Sequence, residues 1–266
     1  MLRYSLASLG IVLAILLGGC EDERLVRQTL ADDCANHYRA ESYKVAARTC
    51  LKAAEYGVPY AQWLIANIYY YDLDDTGHQK SDSIKWFVAA ADSGITQSQT
   101  FVGESYLFAD GVEEDFKKAY HYLKLAADVA DPQAEYNIAM MFYDGKGRNK
   151  DVSAAISWLK RAAAKNHTMS INNLAWVHAT NPHKTYRNAE KAMFWADKLP
   201  KDADDSSTFL DTKAAAYALA GNFEEAIRMQ YKAIEALPED TEEDMLLEFQ
   251  TRLEFYQDNR AWTENE

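Results

Sequence analysis

The sequence predicts an all-α fold, an α-solenoid of stacked antiparallel helical hairpins, on three observations. The chain falls into register with itself at 36 or 37 residues: Cys50, Trp86, Tyr122 and Trp158 are each 36 apart, and Trp195 follows after 37. A fixed period of this size marks a repeat architecture. Small residues keep the same register, with Ala47, Ser83, Ala119, Ala155 and Ala192 three positions before those slots and Ala54, Ala90, Ala126 and Ala162 four after the first four of them. Gly57, Gly94, Ala130 and Asn166 recur where each second helix should stop, and Gly or Asn there takes the left-handed conformation that ends a helix. Core face and stop signal therefore agree on one register.

The amino-terminal element reads as a processing signal. Arg3 precedes an apolar run from Leu6 to Leu17 that ends Leu17-Gly18-Gly19-Cys20. A positive start, a short apolar core and small residues before a cleavage point make a secretory signal, and this run is shorter than the roughly 20 residues of a spanning helix. The pattern resembles a bacterial lipoprotein signal with its lipobox, which implies a signal over 1–19, lipid on Cys20 and a short acidic tether over 20–24. The alternatives are an uncleaved anchor and a soluble signal with a chance cysteine. Several acyl chains on one residue anchor durably where a single chain does not. Glu21 stands where Asp would resemble an inner-membrane retention signal, so the resemblance implies the outer membrane, facing the periplasm.

A helical pattern starts near Arg24 and runs through the repeats. In the first helix of each hairpin, Ala66, Gly103, Ala139 and Ala175 share one position, and Tyr69, Tyr106, Phe142 and His178 stand three residues on. A small residue lets two helices approach, and a ring at i+3 covers the same face and should bury against the next unit. The clearest units are FVGESYLFADGVEEDFKKAYHYLKLAADVADPQAE, from Phe101 to Glu135, and YNIAMMFYDGKGRNKDVSAAISWLKRAAAKN, from Tyr136 to Asn166. Their Asp110-Gly111 and Asp144-Gly145 turns, the Lys/Ser-Ala pair before the aromatic slot and the double Ala after it resemble the Sel-one-like repeat, a relative of the tetratricopeptide repeat.

That resemblance is good from Ser42 to Asn166 and looser from Thr168 to Leu199, so residues 25–199 are read as Sel-one-like repeats. It implies a right-handed solenoid whose concave face engages other proteins. From Ser207 the spacing shifts, and Ala214, Tyr217, Ala226, Ala233 and Pro238 are more similar to a tetratricopeptide unit over 200–238, with Gln230 in its aromatic slot. Residues 239–266 are expected to form an acidic capping helix, Glu239 to Tyr256, and a tail.

Two cysteines remain besides Cys20. With one helix ending near Asn36 and the next beginning near Ser42, Cys34 and Cys50 can face each other across one hairpin. In the oxidising compartment that the signal implies, disulfides persist, and the expected pairing is Cys34 with Cys50. The alternative is two buried thiols, because Cys50 occupies a slot that elsewhere holds Trp or Tyr.

The formal charge is −13, and residues 201–266 hold 17 Asp and Glu against 6 Lys and Arg, a local balance of −11. Nucleic-acid binding needs concentrated Lys and Arg, so nucleic acid is excluded as an expected partner. The acidic end reads either as a solvated cap or as a surface for a basic partner.

No catalytic constellation emerges, and no cofactor or metal is expected. The six histidines, at 37, 78, 121, 167, 178 and 183, lack the i,i+4 pair plus Glu of a helical zinc hydrolase. His167, His178 and His183 could meet at the fifth hairpin, but a packed histidine is the ordinary reading. Asp72, Asp74 and Thr76 before Gly77 only faintly follow a calcium loop, since Ser83 stands where a bidentate Glu is needed. Of Tyr69, Tyr70 and Tyr71, at least one must face solvent.

The expected function is recognition: a membrane-anchored periplasmic scaffold or adaptor for a cell-envelope protein or complex. The resemblance implies that class and not a particular pathway. A regulatory subunit that restrains a sensor or envelope enzyme is the second reading, and a cell-wall-acting enzyme the third.

Overall fold

The computed structural model describes residues 7–200 and 206–264, with side chains from residue 23 onward. The Cys20 side chain and the first residues of the signal lie outside the described residues. Among the described residues there are thirteen α-helices and no strand. This is the α-solenoid class that the period predicts.

One compact unit ends at Asp131 and a second begins at Pro132. The first contains α1 (Ala7–Arg39), α2 (Tyr43–Glu55), α3 (Pro59–Tyr70), α4 (Lys80–Asp92), α5 (Thr96–Phe108) and α6 (Phe116–Asp128). The second contains α7 (Pro132–Asp144), α8 (Val152–Ala163), α9 (Thr168–Thr180), α10 (Ala189–Ala196), α11 (Ser207–Leu219), α12 (Phe223–Glu235) and α13 (Glu243–Gln257). Within each unit, successive helices pair into hairpins and pack on their sequence neighbours.

The small residues make the seam. Ala66, Ala139 and Ala175 of the first helices and Ser83, Ala119, Ala155 and Ala192 of the second are fully buried. The rings lie at its edge: Trp86, Trp158, Trp195, Tyr69, Tyr106 and Phe142 are half-buried, whereas Tyr122 and His178 are buried. The expectation that the first-helix ring buries is thus met in full only at His178. Helices drawn together by Ala leave no room for a ring between them, so each ring packs its face and keeps an edge for polar neighbours. Phe142 lies under Arg148 at 4.3 Å and Trp158 under Arg161 at 4.3 Å. Burial raises the Tyr122 hydroxyl to about 12, helped by its hydrogen bond to Asp92 at 3.1 Å.

Gly103 is the tightest approach. A Cβ there would sit 2.5 Å from Leu123 Cγ and 3.1 Å from the Leu123 backbone nitrogen. Alanine is the better helix former by about 1 kcal/mol, yet Gly103→Ala is expected to cost about 1–3 kcal/mol, because a branch point and backbone must yield. Urea denaturation checks this; a neutral result would show that α5 and α6 separate freely.

All four stop positions take the left-handed conformation, with φ of +73° at Gly57, +90° at Gly94, +66° at Ala130 and +61° at Asn166. The starts of the second helices repeat too, at Gln79, Asp115, Asp151 and Asn188. Asp115 accepts the Lys117 and Lys118 N–H groups at 3.0 Å, Asp151 that of Ala154 at 2.9 Å, and Asn188 that of Lys191 at 2.8 Å. At Gln79 the backbone N–H donates to Asp82 at 2.9 Å. Each of these bonds satisfies a donor near a helix start that the helix itself leaves unpaired.

α1 shows no break over 20–24, where the sequence reading places a tether before a helix starting near Arg24. Leu, Ala and Ile upstream favour helix, and Glu21-Asp22-Glu23 holds no Gly or Pro to interrupt it. Among the described residues, no helix is long and apolar enough to cross a membrane.

Cys34 of α1 and Cys50 of α2 are disulfide-bonded, with S–S 2.05 Å and Cα–Cα 4.5 Å. Both are fully buried beside Ala46, Ala53, Leu64 and Ile65. The bridge spans a sequence separation of 16, so converting both cysteines to alanine is expected to cost about 3 kcal/mol by the loop-entropy relation. Denaturation of the oxidised protein and of the double variant would check it; coincident midpoints would assign the bridge no stabilising role.

At the other end, α13 falls inside the expected capping span and packs on α12. Gln230, the substitute for an aromatic, is fully buried, and its amide donates to the Phe249 carbonyl at 3.1 Å. The slot therefore fastens α12 to α13 by a polar bond.

Candidate functional site

The last turns of α7 and α9 carry polar aromatic residues on one face. Met140 and Tyr143 of α7 are an i,i+3 pair, as are Asn173 and Trp176 of α9, with Thr180 one turn further on. Asn173 donates to the Met140 sulfur at 3.2 Å. Ala139 and Ala175 sit in the seam behind them, so the seam fixes the two helices and the neighbouring positions present the face.

Into this face the chain lays its own non-helical segment after α13. Glu264 is the focus. Tyr143 Oη donates to its carboxylate, at 2.7 Å from Oε1 and 2.6 Å from Oε2. Trp176 Nε1 donates to Oε1 at 2.8 Å, whereas the fully buried Thr180 hydroxyl donates its proton to the Trp176 carbonyl at 2.9 Å and lies 3.4 Å from Oε1. The Glu264 backbone N–H donates to the Thr180 carbonyl at 2.9 Å. Burial raises the Tyr143 hydroxyl well above the ordinary tyrosine range, and its bond to Glu264 adds to this. Tyr143 therefore stays a proton donor throughout the accessible pH range.

Beside the carboxylate, the rings of Trp176 and Trp262 meet at 5.8 Å. The Arg252 guanidinium lies 5.5 Å from the Trp176 ring and 5.2 Å from Trp262. Its Nε donates to the buried Asp211 carboxylate of α11 at 2.8 Å. One cation thus joins α13, α11, α9 and the tail. A cavity of about 380 Å³, lined by Tyr143, Lys150, Asn181, His183, Tyr186 and Glu264 among others, opens on one side. A second of about 220 Å³, lined by Met140, Tyr143, Asn173 and Trp176 among others, lies alongside.

Chemically this is a carboxylate cradle of neutral donors flanked by aromatic faces. It suits peptide recognition, in which oriented N–H and O–H groups fix an acidic side chain and rings hold an apolar one. Nothing in the repeat pattern of the sequence points to this cradle. Glu264 and its side-chain donors are 88 to 121 residues apart, and no periodic signal connects a tail to repeats that it folds back upon.

The histidines considered as a possible set have separate roles. His167 contacts Ser170 at 2.9 Å and Gln133 at 3.1 Å, His183 lines the larger cavity, and His178 Nδ1 donates to the Tyr186 carbonyl at 2.7 Å. Among the described residues, no group of three or more His, Cys, Asp or Glu is placed to hold a metal ion. The Asp72 loop closes on itself: Asp72 accepts the N–H groups of Thr76, Gly77 and His78 at 2.8–3.1 Å. Of the three successive tyrosines, Tyr71 is the exposed one.

His178 carries a pH dependence. Burial, above all, lowers its pKa below 6.5, with the Tyr186 carbonyl opposing and Lys191 and Lys160 assisting. The folded protein therefore prefers the neutral ring. This contribution is complete above pH about 6.5 and is lost progressively as the pH falls below it, because only the unfolded chain gains the proton there. His178→Phe, the residue at the matching position 142, should remove that increment; equal slopes of stability against pH in both proteins would refute it.

Fold and cradle together define a helical-hairpin repeat protein. The Sel1 repeat profile matches residues 59–95, 96–131, 132–167 and 169–199, more than half of the chain, and the chain belongs to the Sel1 repeat family. The boundaries coincide with the hairpins α3–α4, α5–α6, α7–α8 and α9–α10. Repeats of this family mediate protein–protein interaction.

Among curated relatives, a chitin synthase regulator of Saccharomyces cerevisiae is 26% identical over 133 residues, 49% of this chain and 19% of that protein. An ERAD-associated E3 ubiquitin-protein ligase component of Arabidopsis thaliana is 30% identical over 103 residues, 38% of this chain and 16% of that protein. The chain thus spans under a quarter of the length of these relatives. Among solved structures, a Sel1 repeat protein from Oxalobacter formigenes superposes with TM-score 0.60 at 22% identity, covering 77% of this chain and 86% of that one. A protective antigen of uropathogenic Escherichia coli with the SLR fold gives TM-score 0.67 at 19% identity, covering 84% and 46%. Both show the fold.

Proposed function

We propose that the protein is a lipid-anchored scaffold or adaptor of the cell envelope, tethered through Cys20, facing the periplasm from the outer membrane and holding another envelope protein. The observation that carries the recognition role is the array of Sel1 repeats with a carboxylate cradle set into it. The anchor and compartment rest on Arg3, the apolar run and the Leu17-Gly18-Gly19-Cys20 pattern, and the Cys34–Cys50 disulfide accords with an oxidising compartment. On this reading the work is binding rather than chemistry.

A second reading, a regulatory subunit that restrains an envelope enzyme, is favoured by the relatives named as regulators of chitin synthase in Saccharomyces cerevisiae and Schizosaccharomyces pombe. It differs in predicting one tight partner whose output changes when this protein is deleted.

The deciding experiment is crosslinking in intact cells followed by affinity capture, with native protein beside a Cys20→Ser form. Recovery of one envelope protein or complex, lost with the anchor, is the expected result. Capture unaffected by Cys20→Ser would overturn the anchor, and an empty capture would overturn the scaffold.

A further inference from the structure

We propose that the α7–α9 cradle is a recognition site for an aromatic-x-acidic peptide segment of a partner protein, and that the chain's own Trp262-Thr263-Glu264 occupies it as an intramolecular competitor. The inference deepens the scaffold reading and rests on it.

The cradle selects a definite chemistry. Two side-chain donors, on Tyr143 and Trp176, converge on one carboxylate. The Thr180 carbonyl takes the N–H of the same residue, so backbone and side chain are read together at the acidic position. Two residues earlier, Trp262 packs against Trp176 and beneath Arg252. An apolar ring and a carboxylate at positions i and i+2 of a non-helical segment match the spacing between ring contact and donors. A Gln in place of the acid leaves Tyr143 and Trp176 both donating to one amide oxygen, and a Lys places a cation against them.

The occupant is built to leave. All the donors that hold Glu264 are neutral, so its release requires no separation of a charge pair. The segment contributes no helix or strand. Trp262 and Glu264 are half-buried rather than sealed, and the two cavities beside Tyr143, of about 380 and 220 Å³, give an incoming chain room that the described residues of the tail do not fill. A partner segment with the same two anchors and side chains reaching these cavities gains contacts that the tail lacks. A tethered competitor raises the threshold for partner binding, because the site is free only in the fraction of molecules with the tail released.

The test vacates the groove in the full-length chain and supplies the segment in trans. A fluorescein-labelled peptide with the sequence of residues 259–266 is titrated by fluorescence polarisation against wild type and against Trp262→Ala/Glu264→Ala. The double variant is expected to bind saturably and at least tenfold tighter than wild type. A peptide carrying Gln for Glu264, or a Tyr143→Phe change in the double variant, should weaken binding about tenfold. Equal affinity for both proteins, or binding no better than that of a scrambled peptide, overturns the proposal.

If circular dichroism shows the double variant unfolded, full-length Glu264→Gln, which retains Trp262, decides by the same titration. A gain under threefold over wild type then counts against the site. Capture of a partner in cells alongside failed peptide binding removes this site and leaves the scaffold standing, whereas peptide binding with an empty capture does the reverse.

Discussion

Arg252→Met is expected to cost the unit beginning at Pro132 about 3–5 kcal/mol, the range for breaking a buried pair from one side. Arg252 and Asp211 are both buried, and their bond links α13 to α11. Methionine fills much of the volume but leaves the Asp211 carboxyl in the interior without its cation. Burial already pushes that carboxyl up, with Arg252 and Gln230 opposing; removing Arg252 takes away the larger of these opposing influences. The change also takes the guanidinium from the rings of Phe249, Trp262 and Trp176, contacts worth about 0.5–2 kcal/mol apiece where desolvated.

A compensating Asp211→Leu should recover much of the loss, because an apolar pair of similar volume avoids both desolvation costs. Urea denaturation followed by tryptophan fluorescence reads all three proteins. A single-variant loss below about 1 kcal/mol, or no recovery in the double variant, would show that the pair is not what fixes α13. The result bears on the cradle, because the same guanidinium lies against the ring of Trp262. A tail that loosens in Arg252→Met while α7 and α9 stay folded would place the latch in α13.

The hairpin array was legible because packing imposes one requirement at one spacing. Ala66, Gly103, Ala139 and Ala175 are small because two helices touch there, and Gly57, Gly94, Ala130 and Asn166 share a left-handed backbone because each second helix must end there. Even Ala130, which lacks glycine's freedom, follows the register. The same logic misplaced the rings: period tells which positions share an environment, not how deep it is, so Tyr106 and Phe142 sit at the edge of a seam that Ala closes. The cradle was illegible for a different reason. Tyr143, Trp176 and Thr180 were readable only as repeat positions, and what gives them a shared role is Glu264, which belongs to no repeat and reaches them by folding back.

A further slot shows how the repeat register hides chemistry, and it carries the other large expected effect. Gln62, Gln99 and Glu135 occupy one position. The two glutamines donate to carbonyls at the end of the preceding helix, Gln62 to Ala54 at 3.3 Å and Gln99 to Ala91 at 3.1 Å. Glu135 has no proton to donate when ionised. It turns instead to α8 and the turn after it, accepting from Arg161 Nε at 2.9 Å and Lys165 Nζ at 2.6 Å while itself fully buried.

The two cations keep substantial contact with water, with side chains 48% and 34% exposed, so the site is asymmetric. Arg161→Met with Lys165→Met strands a buried carboxylate and should cost about 3–5 kcal/mol. Glu135→Gln strands nothing, because both cations rehydrate, and should cost only about 1–3 kcal/mol. Adding Glu135→Gln to the double variant should therefore restore stability rather than lower it further. That reversal of sign identifies the desolvated charge as the cause; if the triple variant is the least stable of the series, the cations act through their packing, such as Arg161 over the Trp158 ring at 4.3 Å, and not through Glu135.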